Sequence, residues 1–543
     1  MRCTRLNLAC EWPPPKPSLA SRRRGFGPIK TRDLGAWSPA SIVPGDRDQD
    51  QGDSNLTPVS QGLLLPSPGQ DLEDVLADSN GFLPDTSLVT FHDGSAEVSQ
   101  HANLDSHNVN AFTLLRDPCL AIPNLSFACA TGTTRSLGLN DKQAVQFHCE
   151  VFAPLKSTRK WNCSAHTLFL NKAYNRNMAL HFLLAVSHSE LAIHYGQGSE
   201  PPQESRDHYC RGSELLLQAH NPFAAPDHIS MMLSFLYMYM FWMRREHLDP
   251  TKLRDLGRAV LSHVQTYRLD TLCASDDVLW SESSSGVITA SEQVLLARII
   301  TYLHDRDGFC AFFGCGGHFA EYINSISQKR HRIWLRSRAV FFMPLNDVDY
   351  SAEGSEIEDA PTLDIYFELI ILHQEINTYS QTSTVHAMGM KSKVQRHLDA
   401  IYKDKATFFD QVSNPDNNSK CSLMSFVTAT VYYALRVYFY RARQSPFRTR
   451  PIPSDLENTL NSLVSAAYYA TKTGQVQLLE RFQWSLFMAG LETTDPVHLE
   501  WISSNISDPA IRKRFECCQA VRQSPGGGIT MQKIRELTEG CTV

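Results

Sequence analysis

Fifteen consecutive residues, Ile229 to Met243, contain no charge and only two serines, and they constrain the fold more than any other stretch. The run is shorter than the roughly eighteen apolar residues needed to span a bilayer. Ile229, Met232, Leu233, Leu236, Met240 and Met243 recur at helical spacing, while Phe235, Tyr239 and Trp242 fill the opposite side. A helix that is apolar all round must be enclosed by other elements, which calls for a large all-α core. Asp227 stands where the N-cap of that helix belongs. The methionines and aromatics of the stripe are expected to pack rather than to line a pocket.

The rest of the second half fits such a core. From about residue 140 onward the apolar spacing is helical. Leu139-Asn140-Asp141-Lys142 places a capping residue before a run ending near Leu155, and Arg176–Tyr195 has a helical face. Pro201-Pro202 opens a further helix that closes toward Asn221-Pro222. More helices are predicted at 250–267, 291–306, 361–380, 388–412, 422–443, 455–473, 476–490 and 495–520. No sustained alternation argues for a sheet. Without a fixed repeat, the expected fold class is all-α, an irregular multi-helix bundle or solenoid. Residues 270–290 and 345–360 read as loops, and 521–543 as a C-terminal tail with a short helix after Pro525-Gly526-Gly527-Gly528.

Charge divides the first part of the chain. Residues 1–32 hold eight Lys/Arg against Glu11 alone, a net +7, whereas 33–110 hold thirteen Asp/Glu against Arg47, a net −12. A basic arm attracts polyanions and an acidic stretch repels them. Residues 33–139 are expected to be a mostly disordered acidic linker. Within it, Asp71-Leu72-Glu73-Asp74-Val75-Leu76-Ala77-Asp78 is read as a solvated linker first and as an activation or docking segment second. The fourteen cysteines are scattered, unlike a secreted disulfide scaffold. No secretory leader or membrane span is visible, so the chain is expected to be intracellular with reduced thiols.

Chemistry-bearing motifs are sparse. Asp276-Asp277-Val278-Leu279-Trp280 puts Trp where a magnesium-binding D-D-x-x-D needs its last carboxylate, and Asn346-Asp347-Val348-Asp349-Tyr350-Ser351 misplaces the serine of the companion motif. His373-Gln374-Glu375-Ile376-Asn377 lacks the second histidine of a zinc-protease helix. Cys310, Cys315 and His318 have no common zinc spacing and read as buried thiols near a glycine turn. Phosphate loops, dinucleotide fingerprints and nucleophile elbows are missing from the sequence. No catalytic residue is assigned.

Cys3 and Cys10 enclose six residues and precede Glu11-Trp12-Pro13 and the basic run Arg22, Arg23, Arg24, Lys30 and Arg32. Two thiolates cannot close a tetrahedral zinc site. The segment does resemble the end of the fungal six-cysteine binuclear zinc cluster, C-x2-C-x6-C repeated and followed by a basic linker. Cys3 and Cys10 match its fifth and sixth cysteines. The fourth falls immediately before Met1, so Met1 is expected to be an internal methionine. The bridging cysteines and the base-reading residues of that family are not in this sequence.

A second resemblance lies in the helical part. Leu295–Asp305, leading to Phe312-Phe313-Gly314-Cys315-Gly316-Gly317, and Phe482-Gln483-Trp484-Ser485-Leu486-Phe487-Met488-Ala489-Gly490-Leu491-Glu492 are similar to two landmarks of the fungal-specific transcription factor domain. The family proline is Ser485 here. Together the resemblances imply a zinc-cluster remnant with basic linker at 1–32 and a regulatory helical domain at 140–520. They imply a nuclear, sequence-specific, non-enzymatic regulator of transcription by RNA polymerase II. Its cofactor would be zinc, held by Cys3, Cys10 and four further cysteines. Its partners would be GC-rich promoter DNA, the transcription machinery and a second copy in a homodimer. Arg22, Arg23, Arg24, Lys30 and Arg32 would contact phosphates or act as an import signal. The rivals are an all-α enzyme or ligand-binding scaffold unrelated to DNA, and a short form that damps intact partners.

Overall fold

In the computed structural model the Asp227 carboxylate accepts the Ser230 amide at 3.0 Å and starts the helix His228–Met243, buried from Ile229 to its end. The apolar run is enclosed on every side, as a helix without a polar face requires. The structure describes residues 137–158, 164–219, 226–275, 288–339, 360–413, 421–443, 445–524 and 528–540, and the backbone at 2–3 and 8–9. Two units divide the chain, Met1–Ser95 and Ala96–Val543. In the first, Arg2–Cys3 pairs antiparallel with Leu8–Ala9, Cys3 opposite Leu8. In the second, the described residues form helices and their connections with no strand, so the body is all-α.

Along the chain these are α1 (Leu139–Phe147, continued by a wide turn His148–Phe152), α2 (Ala165–Tyr174), α3 (Asn177–His194), α4 (Gln203–Ala219), α5 (His228–Met243) and α6 (Pro250–Thr266). Then come α7 (Leu269–Ala274), α8 (Ala290–Phe312), α9 (His318–Ser325), α10 (Ser327–Arg338), α11 (Ala360–Gln381), α12 (Thr384–Asp404) and α13 (Ala406–Ser413). The last are α14 (Leu423–Arg441), α15 (Ser454–Thr473), α16 (Glu480–Glu492), α17 (Pro496–Asn505), α18 (Pro509–Gln523) and α19 (Met531–Gly540).

Several expected boundaries move, each for a physical reason. The helix expected to stop at 306 runs on to Phe312, because Asp307 and Gly308 are buried in its interior. The span 495–520 divides where Asp508 accepts the Ile511 amide at 3.0 Å and Pro509 takes the first helical position. The span 388–412 divides at Lys405. No side chain caps α1, which starts after Gly138, and Asp141 is engaged elsewhere. The loop expected at 270–290 opens with the short helix α7, and the rest of it up to 287 lies outside the described residues, as does 345–359.

The longest helix among the described residues, α8, is a packing centre. Thr289 and Glu292 form a reciprocal capping box at its start, and α5, α9, α10 and α11 pack around it. One hydrophobic core runs from Phe152 to Ile534, and a small second cluster holds Trp334, Leu363, Phe367, Ile370, Ile371 and Met424. Both landmark stretches are core devices. After α8 the chain reverses through Gly314 (φ 77°) and Gly317 (φ 107°), and a Cβ on Gly317 would stand 2.8 Å from that of Ala311. Asp307 fixes the turn by accepting the Gly317 and Ala320 amides at 3.0 and 2.9 Å and the Tyr239 hydroxyl at 3.0 Å.

In α16, Trp484 and Phe487 pack edge-on against Phe312. Gly490 lets α18 approach, since a Cβ there would lie 2.6 Å from Phe515. Glu492 grips Arg441 of α14 with two bonds of 2.6 and 3.0 Å. Ser485 donates to the Arg481 carbonyl at 2.9 Å.

Candidate functional site

Arg298, Asp305 and Arg306 are spaced so that they share one face of α8. That face meets Glu480 and Arg481 in the first turn of α16 and Lys156 in the stretch after α1. These six side chains border a cavity of about 120 Å³. Its other wall is apolar and aromatic, made by Tyr302, Tyr366 and four members of the small cluster, Trp334, Leu363, Ile370 and Met424.

The charges are interlocked. The Lys156 ammonium contacts one Glu480 oxygen, and Arg306 donates to the other at 2.9 Å. Asp305 contacts the Arg481 guanidinium and has Arg306 at 3.8 Å. The Arg481 fork also reaches the Asp305 carbonyl at 3.2 Å and His373 Nδ1. A guanidinium only donates, so Nδ1 of His373 is the acceptor. Burial and Arg481 hold that imidazole well below its ordinary pKa, and it is neutral. Burial, then Lys156 and Arg306, do the same to His166 on the cavity wall. Burial, then Arg306 and Arg244, lower the Lys156 ammonium, while contact with Glu480 keeps it in place.

Among the described lining residues, three guanidinium groups and the Lys156 amine face two carboxylates. Lys156, Arg298, Arg306 and Arg481 are each at most 7% exposed. Arg306 Nε has no hydrogen-bond acceptor among the described residues, and the Arg298 guanidinium lies 5.0 Å from the Tyr302 ring. Buried guanidinium groups beside an apolar wall suit a small ligand with an anionic end and an apolar or aromatic body. Guanidinium forks match carboxylate and phosphate geometry in particular. Both lining threonine hydroxyls are already engaged. Thr301 donates to the Ala297 carbonyl at 2.9 Å, and Thr158 points at the Met424 sulfur at 3.2 Å.

The residues singled out in the sequence are distributed differently. Cys3 is described only by its backbone, and Cys10, Arg22, Arg23, Arg24, Lys30 and Arg32 lie outside the described residues, as do Asp276, Asp277 and Asn346–Ser351. Cys310 and Cys315 are buried free thiols. Neither they nor His318 belong to the single cluster of converging metal-type side chains among the described residues. His373 and Asn377, the incomplete protease pair, serve packing. His373 lies over Trp484 at 4.5 Å, and Asn377 bridges the Gly308 carbonyl and the Tyr438 hydroxyl. The Met-rich α5 contributes nothing to the cavity wall. The cavity was not anticipated. Its sequence signal was the charge in α8, where Arg298, Asp305, Arg306 and Asp307 interrupt a largely apolar stretch. No family model matches the chain, and neither the curated proteins nor the solved structures contain a significant match.

Proposed function

We propose that this chain is a DNA-binding regulator of RNA polymerase II transcription, of the fungal zinc-cluster kind, whose helical body responds to a small anionic effector. The observation that carries the DNA-binding part is the Cys3-x6-Cys10 spacing followed by Arg22, Arg23, Arg24, Lys30 and Arg32, ahead of an acidic stretch. With four further thiolates preceding Met1, zinc would fold the cluster and one of its helices would read base edges in the major groove. The basic run would neutralise phosphates in the nucleus without reading sequence. Supporting the regulatory part are the two landmark stretches, which pack on one another through Phe312, Trp484 and Phe487; the first borders the buried cavity at Arg298 and Asp305, and the second follows directly on Glu480 and Arg481 of its wall.

Two measurements test this. The chain as written is expected to bind duplex DNA without sequence preference. If the five basic residues contact five phosphates, the slope of log affinity against log salt is about −4.5, a loss of about 500-fold between 50 and 200 mM. A protein completed upstream with a C-x2-C-x6-C segment is expected to bind GC-rich sites selectively and only with zinc, and Cys3→Ala or Cys10→Ala abolishes that. Stop codons directly upstream of Met1, with no DNA affinity in the chain, refute the proposal. The cavity would then favour the second reading, an all-α ligand-binding or enzymatic scaffold.

A further inference from the structure

Three helices bring imidazoles and a carboxylate together at a place that shares no residue with the cavity. His188 of α3 and His208 of α4 each place Nε2 3.0 Å from the same oxygen, Oδ1 of Asp141 in the first turn of α1. The three atoms lie within 4.8 Å of one another, and the two rings are stacked at 5.6 Å with 10° between their planes. We infer that Asp141, His188 and His208 form a binding site for one zinc ion, independent of Cys3 and Cys10 and of the cavity.

The distances fit zinc chemistry. Zinc holds imidazole nitrogen and carboxylate oxygen at about 2.0–2.2 Å, so neighbouring ligand atoms in a tetrahedron stand about 3.3 Å apart. Two of the three edges are already near that value, and side-chain rotation closes the third. The donor set also selects the ion. Two imidazoles with one carboxylate suit a borderline divalent metal, whereas calcium and magnesium prefer oxygen shells. The side chains of His188, His208 and Asp141 are 7%, 17% and 23% exposed. The site is walled on its inner side and open outward, where water completes four ligands.

A fourth histidine supplies the outer hydrogen bond that zinc-bound imidazoles make. His181 lies two helical turns before His188 on α3, and its Nδ1 is 2.9 Å from Nδ1 of His208. With Nε2 of His208 on the metal, its Nδ1–H donates to His181. Without metal, the proton of this pair sits on His181 and Nε2–H of His208 donates to Asp141. Zinc binding would therefore switch the tautomers of His188, His208 and His181, with the proton count unchanged, and replace the two hydrogen bonds that hold Asp141 by coordination. The ion would fasten α1, whose outer face is solvated at Leu139 (82% exposed), to the α3–α4 pair.

The test uses the full chain carrying Cys3→Ser and Cys10→Ser, stripped of metal and titrated calorimetrically with zinc chloride, then with cobalt(II) followed by visible absorption. One equivalent is expected, with a cobalt spectrum lacking a thiolate charge-transfer band. His188→Ala and His208→Ala are expected to weaken binding by at least about 100-fold, and His181→Ala by about 10-fold or more. Asp141→Asn, which keeps the side chain's shape, serves as a ligand-loss variant with little risk to folding, and circular dichroism checks the helix content of all four. Unchanged one-equivalent binding in the His188→Ala/His208→Ala protein would overturn the assignment. A cobalt spectrum dominated by thiolate ligation, or no binding by the parent, would do the same.

Discussion

Glu492→Gln isolates the contact that joins the end of α14 to the end of α16. Glu492 is fully buried, and Arg441 is 1% exposed. The carboxylate accepts Arg441 Nη2 at 2.6 Å and Nε at 3.0 Å, with the Arg448 amide at 3.3 Å. Glutamine keeps the shape but removes the counter-charge and turns an amide NH2 toward a guanidinium that can only donate. Breaking a buried ion pair from one side costs about 3–5 kcal/mol. Unfolding entropy near 60 °C is about 2.1 cal/mol/K per residue, so for a body of roughly 400 residues it is about 0.84 kcal/mol/K. The melting temperature should therefore fall by about 4–6 °C in a calorimetric scan. Arg441→Met with Glu492→Leu removes both charges, and replacing a buried pair by apolar residues is often near neutral, so the double variant should melt within about 2 °C of the parent. The reasoning fails if Glu492→Gln melts within about 1 °C of the parent, or if the double variant is as unstable as the single one.

Gly490→Ala sets helix propensity against sterics. Alanine favours the helix by about 1 kcal/mol, but its Cβ would lie 2.6 Å from Phe515 and 3.1 Å from Ile502, so a net loss of about 1–3 kcal/mol is expected in thermal unfolding. A stabilised variant would show that α16 and α18 are loosely apposed. In the cavity, Arg306→Ala should weaken calorimetric binding of an aromatic anion such as phenyl phosphate by about 10- to 100-fold, the range for a lost charged hydrogen bond. Equal affinity in parent and variant would place any anion elsewhere. His397 lies 2.8 Å from Glu375 and 3.5 Å from Glu368. Burial opposes its protonation, but the two carboxylates win and raise it to about 9. A raised folded-state pKa stabilises fully below the unfolded value of about 6.5 and is lost as pH rises through about 9. Melting temperatures should decline over that window, and His397→Gln should remove this part of the decline.

Helix identity in this protein is local information. The apolar run at 229–243, Asp227 as its cap, and Pro201-Pro202 before Gln203 each act within a turn or two of chain, so α4, α5, α6, α11, α14 and α15 could be read directly. The short helices α2, α7, α9 and α10 could not, because a span of one to three turns carries too little periodic pattern. Breaks at Lys405 and Ile506–Asp508 also escaped notice, since apolar spacing continues across them. In the landmark stretches the residue types were legible but their purpose was not. Gly317 and Gly490 are glycines because Ala311 and Phe515 stand where a Cβ would go, and neither neighbour can be inferred from local spacing.

The charged groups divide most sharply. Sequence alone determined that Arg298, Asp305 and Arg306 share a helical face, and that Cys3, Cys10 and the basic run stand ahead of an acidic stretch. Only the tertiary structure decided that Arg481 meets Asp305 across 176 residues and His208 meets Asp141 across 67. A charge in an apolar helix looks the same whether it will be neutralised, bind a ligand or hold a metal. The difference lies in which distant helix packs against it, and that is set by the whole core rather than by any segment.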